Sequence, residues 1–157
     1  SVTSSGPGLN SRLGSIQATI LIEKLKVLDK KIENQIKLYN KYQFFFSKLE
    51  VVGFPLTRNH SKIKDAVSTF NLLVKNRSKL IKIFKKKKIP YKIYYPKPLY
   101  RQYKLKNKIR LKNTEFLCKS IISLPFNDLS AKRFDLIKNQ LREIITNNKK
   151  IFFEKKI

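Results

Sequence analysis

The chain has 157 residues and a formal net charge of +26, from 36 lysines and arginines against 10 aspartates and glutamates. Hydrophobic residues make up 41% of it, which excludes the composition of an intrinsically disordered chain. The length suits one domain with its own core. A single cysteine excludes an intrachain disulfide, and with a single histidine we expect no metal site.

A charge this high has two explanations. It favours a polyanionic partner such as RNA, DNA or an anionic membrane surface. Lysine, asparagine, isoleucine and phenylalanine, however, are residues that an AT-rich coding sequence over-uses, and we favour that bias as the source. The lysine run 85–88, followed by Tyr91, Tyr94 and Tyr95, is the main support for a nucleic-acid-binding module, because such interleaving holds phosphates and stacks on bases. No nucleic-acid-binding signature accompanies it.

The sequence carries no targeting or membrane signal. Residues 1–15 lack the positive start and the apolar run of a signal peptide. The apolar runs elsewhere are too short to span a bilayer. We therefore predict a cytoplasmic protein without membrane contact.

In chain order, the small, polar, glycine-bearing segment 1–14 predicts a loop. Apolar residues then recur at alternating steps of four and three, without glycine or proline, which predicts one long helix over 15–52. A helix over this range would be more than about 50 Å long, at about 1.5 Å per residue. Because this is too long for one element of so small a domain, we expect the helix to connect domains or to pack along a partner.

The remainder alternates between short strands and helices. We predict strands at 66–74, 91–95 and 121–124, helices at 79–87, 113–120 and 130–146, and a basic loop at 96–112. Asn113 and Ser130 are the expected N-caps of the last two helices, and Cys118 is expected to be a buried thiol.

These elements predict an α+β fold, in which a long N-terminal helix precedes a small sheet of about three strands covered by helices. The predicted organisation follows from their order. It is a loop, a long interdomain helix, a small domain and a charged, frayed tail, at 1–14, 15–52, 53–146 and 147–157.

Three short sequence segments are more informative about function than the predicted helices and strands that contain them. Residues 8–18 read GLNSRLGSIQA, residues 94–102 read YYPKPLYRQ, and residues 122–126 read ISLPF. In this order and spacing they resemble the C-terminal part of the DegT/DnrJ/EryC1/StrS sugar aminotransferases. That family has N-S-R-L before I-Q-A-A, then Y-P-x-P-L-H-x-Q, then L-S-L-P. The resemblance covers nearly the whole chain, from about Gly8 to Ile145.

The resemblance implies the C-terminal domain of a fold-type I aminotransferase, in which a lysine forms a Schiff base with pyridoxal phosphate at a homodimer interface. It implies that Asn10 binds the cofactor phosphate and that Arg12 adds charge-assisted contacts. Tyr95, Pro96 and Tyr100 would contact a sugar-nucleotide substrate. Tyr100 stands where the family often has histidine, and a phenol with a pKa of about 10 cannot replace imidazole near neutrality.

The family's Schiff-base lysine motif would fall before Gly8, and no lysine of this chain lies in it. We therefore predict the C-terminal part of an aminotransferase of amino-sugar or surface-polysaccharide biosynthesis, with no catalytic residue and no catalysis on its own. The absence of methionine and the long predicted helix favour the same interpretation. The alternatives are the basic nucleic-acid-binding module and a decayed, non-catalytic interaction domain.

Overall fold

A computed structural model describes residues 13–49, 51–52, 66–102 and 110–154, and its elements confirm the predicted α+β class. The helices are α1 (Ser15–Lys26), α2 (Leu28–Ser47), α3 (Arg77–Lys86), α4 (Leu99–Gln102), α5 (Lys112–Ser120), α6 (Asp128–Lys132) and α7 (Phe134–Asn147). The strands are β1 (Val51–Val52), β2 (Phe70–Leu73), β3 (Ile121–Leu124) and β4 (Phe153–Glu154), and a 3-10 turn covers Lys149–Ile151.

The single helix predicted over 15–52 is wrong, because the chain leaves the helix at Val27 and again after Ser47. Val27 has φ −108° and ψ 1°, and its N–H donates to the Lys24 carbonyl at 3.3 Å, three residues back rather than four. Beyond Ser47, the β-branched pair Val51–Val52 pairs with β4 instead. Apolar spacing continues through both interruptions, so periodicity did not reveal them.

Helix α1 contains no buried residue. Its large apolar side chains are exposed, up to 77% for Ile16. At 100° per residue, the apolar residues Ile16, Ile20, Leu21, Ile22 and Leu25 spread over about 240° of the helix surface, and a polar face that includes Glu23 and Lys26 occupies the rest. An exposed apolar surface this wide is normally covered by other protein.

The sheet that supports the site has two strands. β2 and β3 pair antiparallel, with Phe70 opposite Leu124 and Leu73 opposite Ile121, and every residue of β3 is buried. Burial on both faces explains why β3 is apolar throughout except for Ser123.

The third strand predicted at 91–95 is wrong, because only Lys92 pairs there, through an isolated bridge to Ser123. The N–H groups of Lys92 and Ser123 donate to each other's carbonyls at 3.1 and 2.8 Å. Pro90 and Pro96 flank this bridge, and neither has an N–H with which to extend a ladder.

The tail predicted to fray over 147–157 is instead part of the fold as far as residue 154. Ile151 and Phe152 are buried, and the Ile151 carbonyl accepts from the N–H groups of Lys75 and Asn76 at 2.8 and 3.2 Å. β4 pairs with β1 in a second two-stranded sheet. Because lysines surround Ile151 and Phe152 in the sequence, the composition of the segment did not predict that these two residues are buried.

The N-caps differ from those predicted. Leu111 precedes α5 without a side-chain cap, so the prediction of Asn113 is wrong. Asn127 caps α6 by accepting from the Ser130 N–H at 2.8 Å, and the Ser130 hydroxyl accepts from the Asn127 N–H in return. Ser130 is therefore the reciprocal partner, not the cap. Cys118, expected to be buried, is only half-buried on α5.

The core is centred on the fully buried Tyr42 of α2. Its ring stacks on Phe70 of β2 at 4.9 Å between centroids and meets Phe134 of α7 edge-on at 5.1 Å. Its hydroxyl donates to the Pro125 carbonyl at 3.0 Å. This one residue joins a helix, the sheet, the last helix and the segment after β3.

We expect Tyr42→Phe to lower the free energy of unfolding by about 1–2 kcal/mol, because it removes the donor to the Pro125 carbonyl while keeping the ring. Urea denaturation measures the change. Tyr39→Phe is the matched control, since the Tyr39 hydroxyl accepts a long 3.5 Å bond from Gln43 within the same helix. An equal decrease in the free energy of unfolding in both variants would show that the hydrogen bond to the Pro125 carbonyl stabilises the fold no more than the bond from Gln43 does.

Candidate functional site

Two of the three predicted substrate residues lie on the turn that leads into α4. Tyr95 is 69% exposed, and Pro96 is exposed beside it. The Tyr94 and Tyr95 rings meet edge-on at 5.9 Å. Pro98 is buried and its carbonyl accepts from the Arg101 N–H at 3.0 Å, which begins α4. The turn therefore presents an aromatic ring and a proline to solvent from a fixed base.

Tyr100, the third predicted substrate residue, is half-buried and faces Glu115 of α5. The Tyr100 hydroxyl donates to Glu115 Oε1 at 2.6 Å, and Arg101 Nη2 donates to the same oxygen at 2.7 Å. Arg110 Nε donates to Oε2 at 3.3 Å. Glu115 is only 7% exposed, so one carboxylate holds α4 against α5.

None of the three sequence motifs indicated Glu115 or its partners. A lone acid in a strongly basic stretch, with Tyr100 and Arg101 before it and Arg110 just upstream, is the signal that was available. The Tyr100 hydroxyl, followed by Arg110 and Arg101, lowers the pKa of the Glu115 carboxyl from 4.5 to about 2, while burial opposes the shift. Glu115 is therefore ionised at neutral pH.

This arrangement limits what Tyr100 can offer a ligand. A phenol has one O–H donor and two acceptor lone pairs. Because the Tyr100 O–H is given to Glu115, only acceptor capacity remains. A ligand group that meets Tyr100 must therefore donate the hydrogen bond, as a sugar hydroxyl does.

A crevice of about 560 Å³ opens on the other side of Lys92, between the end of α3, β3 and the start of α7. Lys87, Lys88, Lys92 and Arg133 lie in its wall, and no aspartate or glutamate is among its described lining residues. Tyr95, Pro96 and Tyr100 are not part of that lining.

A polar network runs into this crevice from the sheet. The Ser123 hydroxyl donates to Asn71 Oδ1 at 2.6 Å, and Asn71 Nδ2 donates to the Thr69 hydroxyl at 3.3 Å. Thr69 and Ser123 both line the crevice. Thr69, which precedes β2, therefore contributes to the crevice and not to the turn at Tyr95.

The described residues do not fit covalent attachment of pyridoxal phosphate. A Schiff-base lysine needs an unprotonated amine, which enzymes obtain by burying the lysine or placing it beside another cation. No described lysine is buried, and the half-buried Lys87 and Lys138 are paired with Glu143 and Asp135. The predicted cofactor residues Asn10 and Arg12 lie outside the described part of the chain.

Among the described ranges, no group of three or more histidine, cysteine, aspartate or glutamate side chains could hold a metal ion. Within those same ranges, no helix combines the length and the apolar character needed to cross a bilayer. The single histidine, His60, falls in the undescribed segment 53–65.

We expect Glu115→Gln to destabilise the chain at neutral pH and to reduce its sensitivity to acid. Because the folded-state pKa of Glu115 lies below the unfolded value, its contribution is complete above about pH 4.5 and is lost as the pH falls toward about 2. Urea midpoints of wild type and variant should therefore converge over that window. Glu143→Gln, which removes an exposed partner of Lys87, is the control and should keep the wild-type acid sensitivity. A difference in urea midpoint between wild type and Glu115→Gln that does not change with pH would contradict the lowered pKa of Glu115.

Comparison with known proteins places this geometry in a family. A sequence profile of the DegT/DnrJ/EryC1/StrS aminotransferase family matches residues 1–142. A DegT DnrJ EryC1 StrS aminotransferase from Brucella abortus has a similar crystal structure, with 31% identity and a TM-score of 0.74. The match covers 87% of this chain and 37% of that one, so the chain spans well under half the length of this relative. No curated protein sequence matches significantly.

More distant structures share the fold. DesV from S. venezuelae, solved with a ketimine intermediate, has a TM-score of 0.70 at 21% identity over 90% of this chain and 39% of its own. An E. coli GDP-4-keto-6-deoxy-D-mannose-3-dehydratase with bound hydrated PLP has a TM-score of 0.61 at 17% identity, over 86% and 37%. The motif order, the α+β architecture and the profile match agree, and the chain belongs to the DegT/DnrJ/EryC1/StrS aminotransferase family.

Proposed function

We propose that the chain is the C-terminal part of a pyridoxal-phosphate-dependent aminotransferase that acts on a keto-sugar nucleotide in amino-sugar or surface-polysaccharide biosynthesis. On its own it is not catalytic. The observation that carries the proposal is the family match over residues 1–142, combined with the exposed Tyr95–Pro96 turn held to α5 by Glu115.

In this proposal the turn binds the substrate. The exposed Tyr95 ring and Pro96 contact the sugar nucleotide, and Tyr100 accepts a hydrogen bond from a sugar hydroxyl because its own proton is given to Glu115. Glu115 is a positioning residue that acts through Tyr100 and Arg101. Rigid presentation limits the entropy lost when a ligand is bound.

The cofactor would be held mainly outside this chain. Asn10 and Arg12 are proposed to reach the cofactor phosphate, by an amide hydrogen bond and a charge-assisted contact. Pyridoxal phosphate acts as an electron sink when bound, and the lysine it requires would belong to another part of the parent enzyme. Association as a homodimer in the parent is supported by the apolar, exposed surface of α1. A cytoplasmic location is part of the same proposal.

Treatment of the purified chain with pyridoxal phosphate and borohydride, followed by peptide mass spectrometry, tests the non-catalytic part of the proposal. We expect low, scattered labelling of exposed lysines, because no described lysine is buried. Stoichiometric labelling of one lysine would overturn it. The dipeptide of glycine and lysine provides a reference for the reactivity of a solvated amine.

Saturation-transfer NMR with a panel of nucleotide sugars tests the substrate assignment. We expect transfer to sugar-ring protons, and a loss of affinity of about tenfold in Tyr95→Ala, the scale of one aromatic contact. Phe44→Ala is the matched control, since Phe44 is an equally exposed aromatic residue on α2, at 63%. No transfer from any sugar, or equal losses in both variants, would count against the turn as the substrate contact.

A further inference from the structure

The outer face of α3 consists of lysines and one serine. At 100° per residue, the exposed residues of the helix fall within about 120° of its surface, and they are Ser78, Lys79, Lys82, Lys85 and Lys86. These four lysines form the α3 lysine face. Neighbouring members are three or four positions apart, so their Cβ atoms lie about 5–6 Å from each other. Helix geometry therefore places the four charges side by side on one surface.

Acidic side chains do not compensate this face. The sequence contains no aspartate or glutamate between Asp65 and Glu115. Within the described ranges none of the four lysines has an ion pair, whereas Lys87, which follows α3, is paired with Glu143 at 2.8 Å. Like charges at helical spacing repel each other. The lysines of the face therefore destabilise α3 slightly as long as no anion is bound.

The first turn of α3 shows that helix stability does not explain these lysines. The helix dipole favours acidic side chains there, and α3 has none. Arg77 has a structural reason to be in this turn, because its guanidinium donates to the Ile121 carbonyl at 3.1 Å and to the Cys118 carbonyl. The Lys79 side chain is exposed, and only its backbone N–H serves the fold, by donating to Asn76 Oδ1 at 3.0 Å. A cation at Lys79 is unfavourable for the helix and favourable for an anionic partner.

The core holds the α3 lysine face in place from behind. Leu80 and Phe84, on the inner side of the helix, are fully buried. The N–H groups of Lys75 and Asn76, just before the helix, donate to the Ile151 carbonyl at 2.8 and 3.2 Å. A partner that binds the lysines therefore meets a preformed surface, and binding orders only their side chains.

The chemistry of the face fits a nucleic-acid duplex better than other polyanions. The four lysines extend over about 10 Å of the helix axis, at about 1.5 Å per residue. A duplex presents one negative charge per about 1.7 Å, so about six phosphate charges lie along that length. The face has no aromatic side chain that could stack on unpaired bases. The apolar residues of α3 are buried or half-buried, so they do not supply the apolar surface that a membrane-bound helix inserts.

We propose that the α3 lysine face binds the phosphate backbone of duplex nucleic acid without reading its sequence. The lysine ammonium groups contact phosphate oxygens as point charges, and such contacts carry no sequence information. This activity goes beyond the proposed aminotransferase role. It uses none of the residues that were placed in the cofactor or substrate contacts.

Fluorescence anisotropy of the full 157-residue chain with a short labelled DNA duplex tests the proposal. We expect the logarithm of the affinity to fall with the logarithm of the salt concentration with a slope of about −4, since each phosphate contact contributes about −0.9. Changing all four lysines to glutamine should make the slope shallower by about 3–4, and Lys82→Gln alone by about 1. Glutamine has nearly the helix propensity of lysine, so these variants keep α3.

The matched control removes the same charge from another helical surface. Lys24, Lys30, Lys31 and Lys37 are exposed on α1 and α2, and changing all four to glutamine lowers the net charge equally. This control should keep the wild-type slope to within about 1. Lys82→Arg keeps the charge of the face and should bind as wild type does.

Four results would overturn the proposal. They are no binding to the duplex at low salt, an equal change of slope in the control and the α3 variants, a preference between two duplexes of unrelated sequence, and tighter binding to single-stranded DNA or to phosphatidylserine vesicles than to the duplex. Tyr95→Ala, which tests the substrate turn, should leave the duplex affinity unchanged. The nucleic-acid proposal and the aminotransferase proposal can therefore fail independently.

Discussion

The packing of Tyr42 is the interaction on which the described fold depends. A tyrosine in the core must satisfy its hydroxyl, and here the Pro125 carbonyl does so. That bond ties α2 to the segment directly after β3, while the ring contacts Phe70 and Phe134. Burial raises the pKa of Tyr42 further above its ordinary value, so the hydroxyl stays protonated and remains a donor. The crevice wall at Pro125 is thereby fixed from the core side.

The small number of acidic residues is the second constraint on the structure. With 10 carboxylate residues against 36 cations, most positive side chains cannot find an opposite charge within the chain. The Glu115 carboxylate accepts hydrogen bonds from Tyr100, Arg101 and Arg110. These bonds fix the position of α4, which follows the Tyr95–Pro96 turn. The crevice beside Lys92 is the reverse case, in which cations meet without a carboxylate. Even if base composition explains the number of lysines, it does not explain where the fold brings them together.

Local patterns predicted the elements well where the apolar residues of one short segment determine its burial. The helical pattern within 130–146 is an example, since Phe134, Ile137, Leu141 and Ile144 recur at helical spacing along α7 and all are buried. β3 was predicted with its observed bounds. One failure arises where a distant segment determines the structure, and another where local prolines prevent a strand. Val51–Val52 forms a strand instead of continuing the helix because β4 pairs with it. Lys92 forms only an isolated bridge because Pro90 and Pro96 flank it.

The candidate site was only partly predictable for the same reason. The motif at 94–102 indicated Tyr95, Pro96 and Tyr100, because those residues are neighbours in sequence. The crevice brings together Thr69, Lys88, Lys92 and Arg133, which no local pattern relates. Only the pairing of β2 with β3, and the bridge at Lys92, places them around one space.

The pairing of β1 with β4 bears on how the domain folds. About 100 residues separate Val51–Val52 from its partner Phe153–Glu154. The Ile151 carbonyl, which accepts from the N–H groups of Lys75 and Asn76 just before α3, also makes contacts of long sequence separation. Contacts of this kind form more slowly than the local contacts within helices. We therefore expect β1 and the start of α3 to complete their hydrogen bonds late in folding, after the helices have formed.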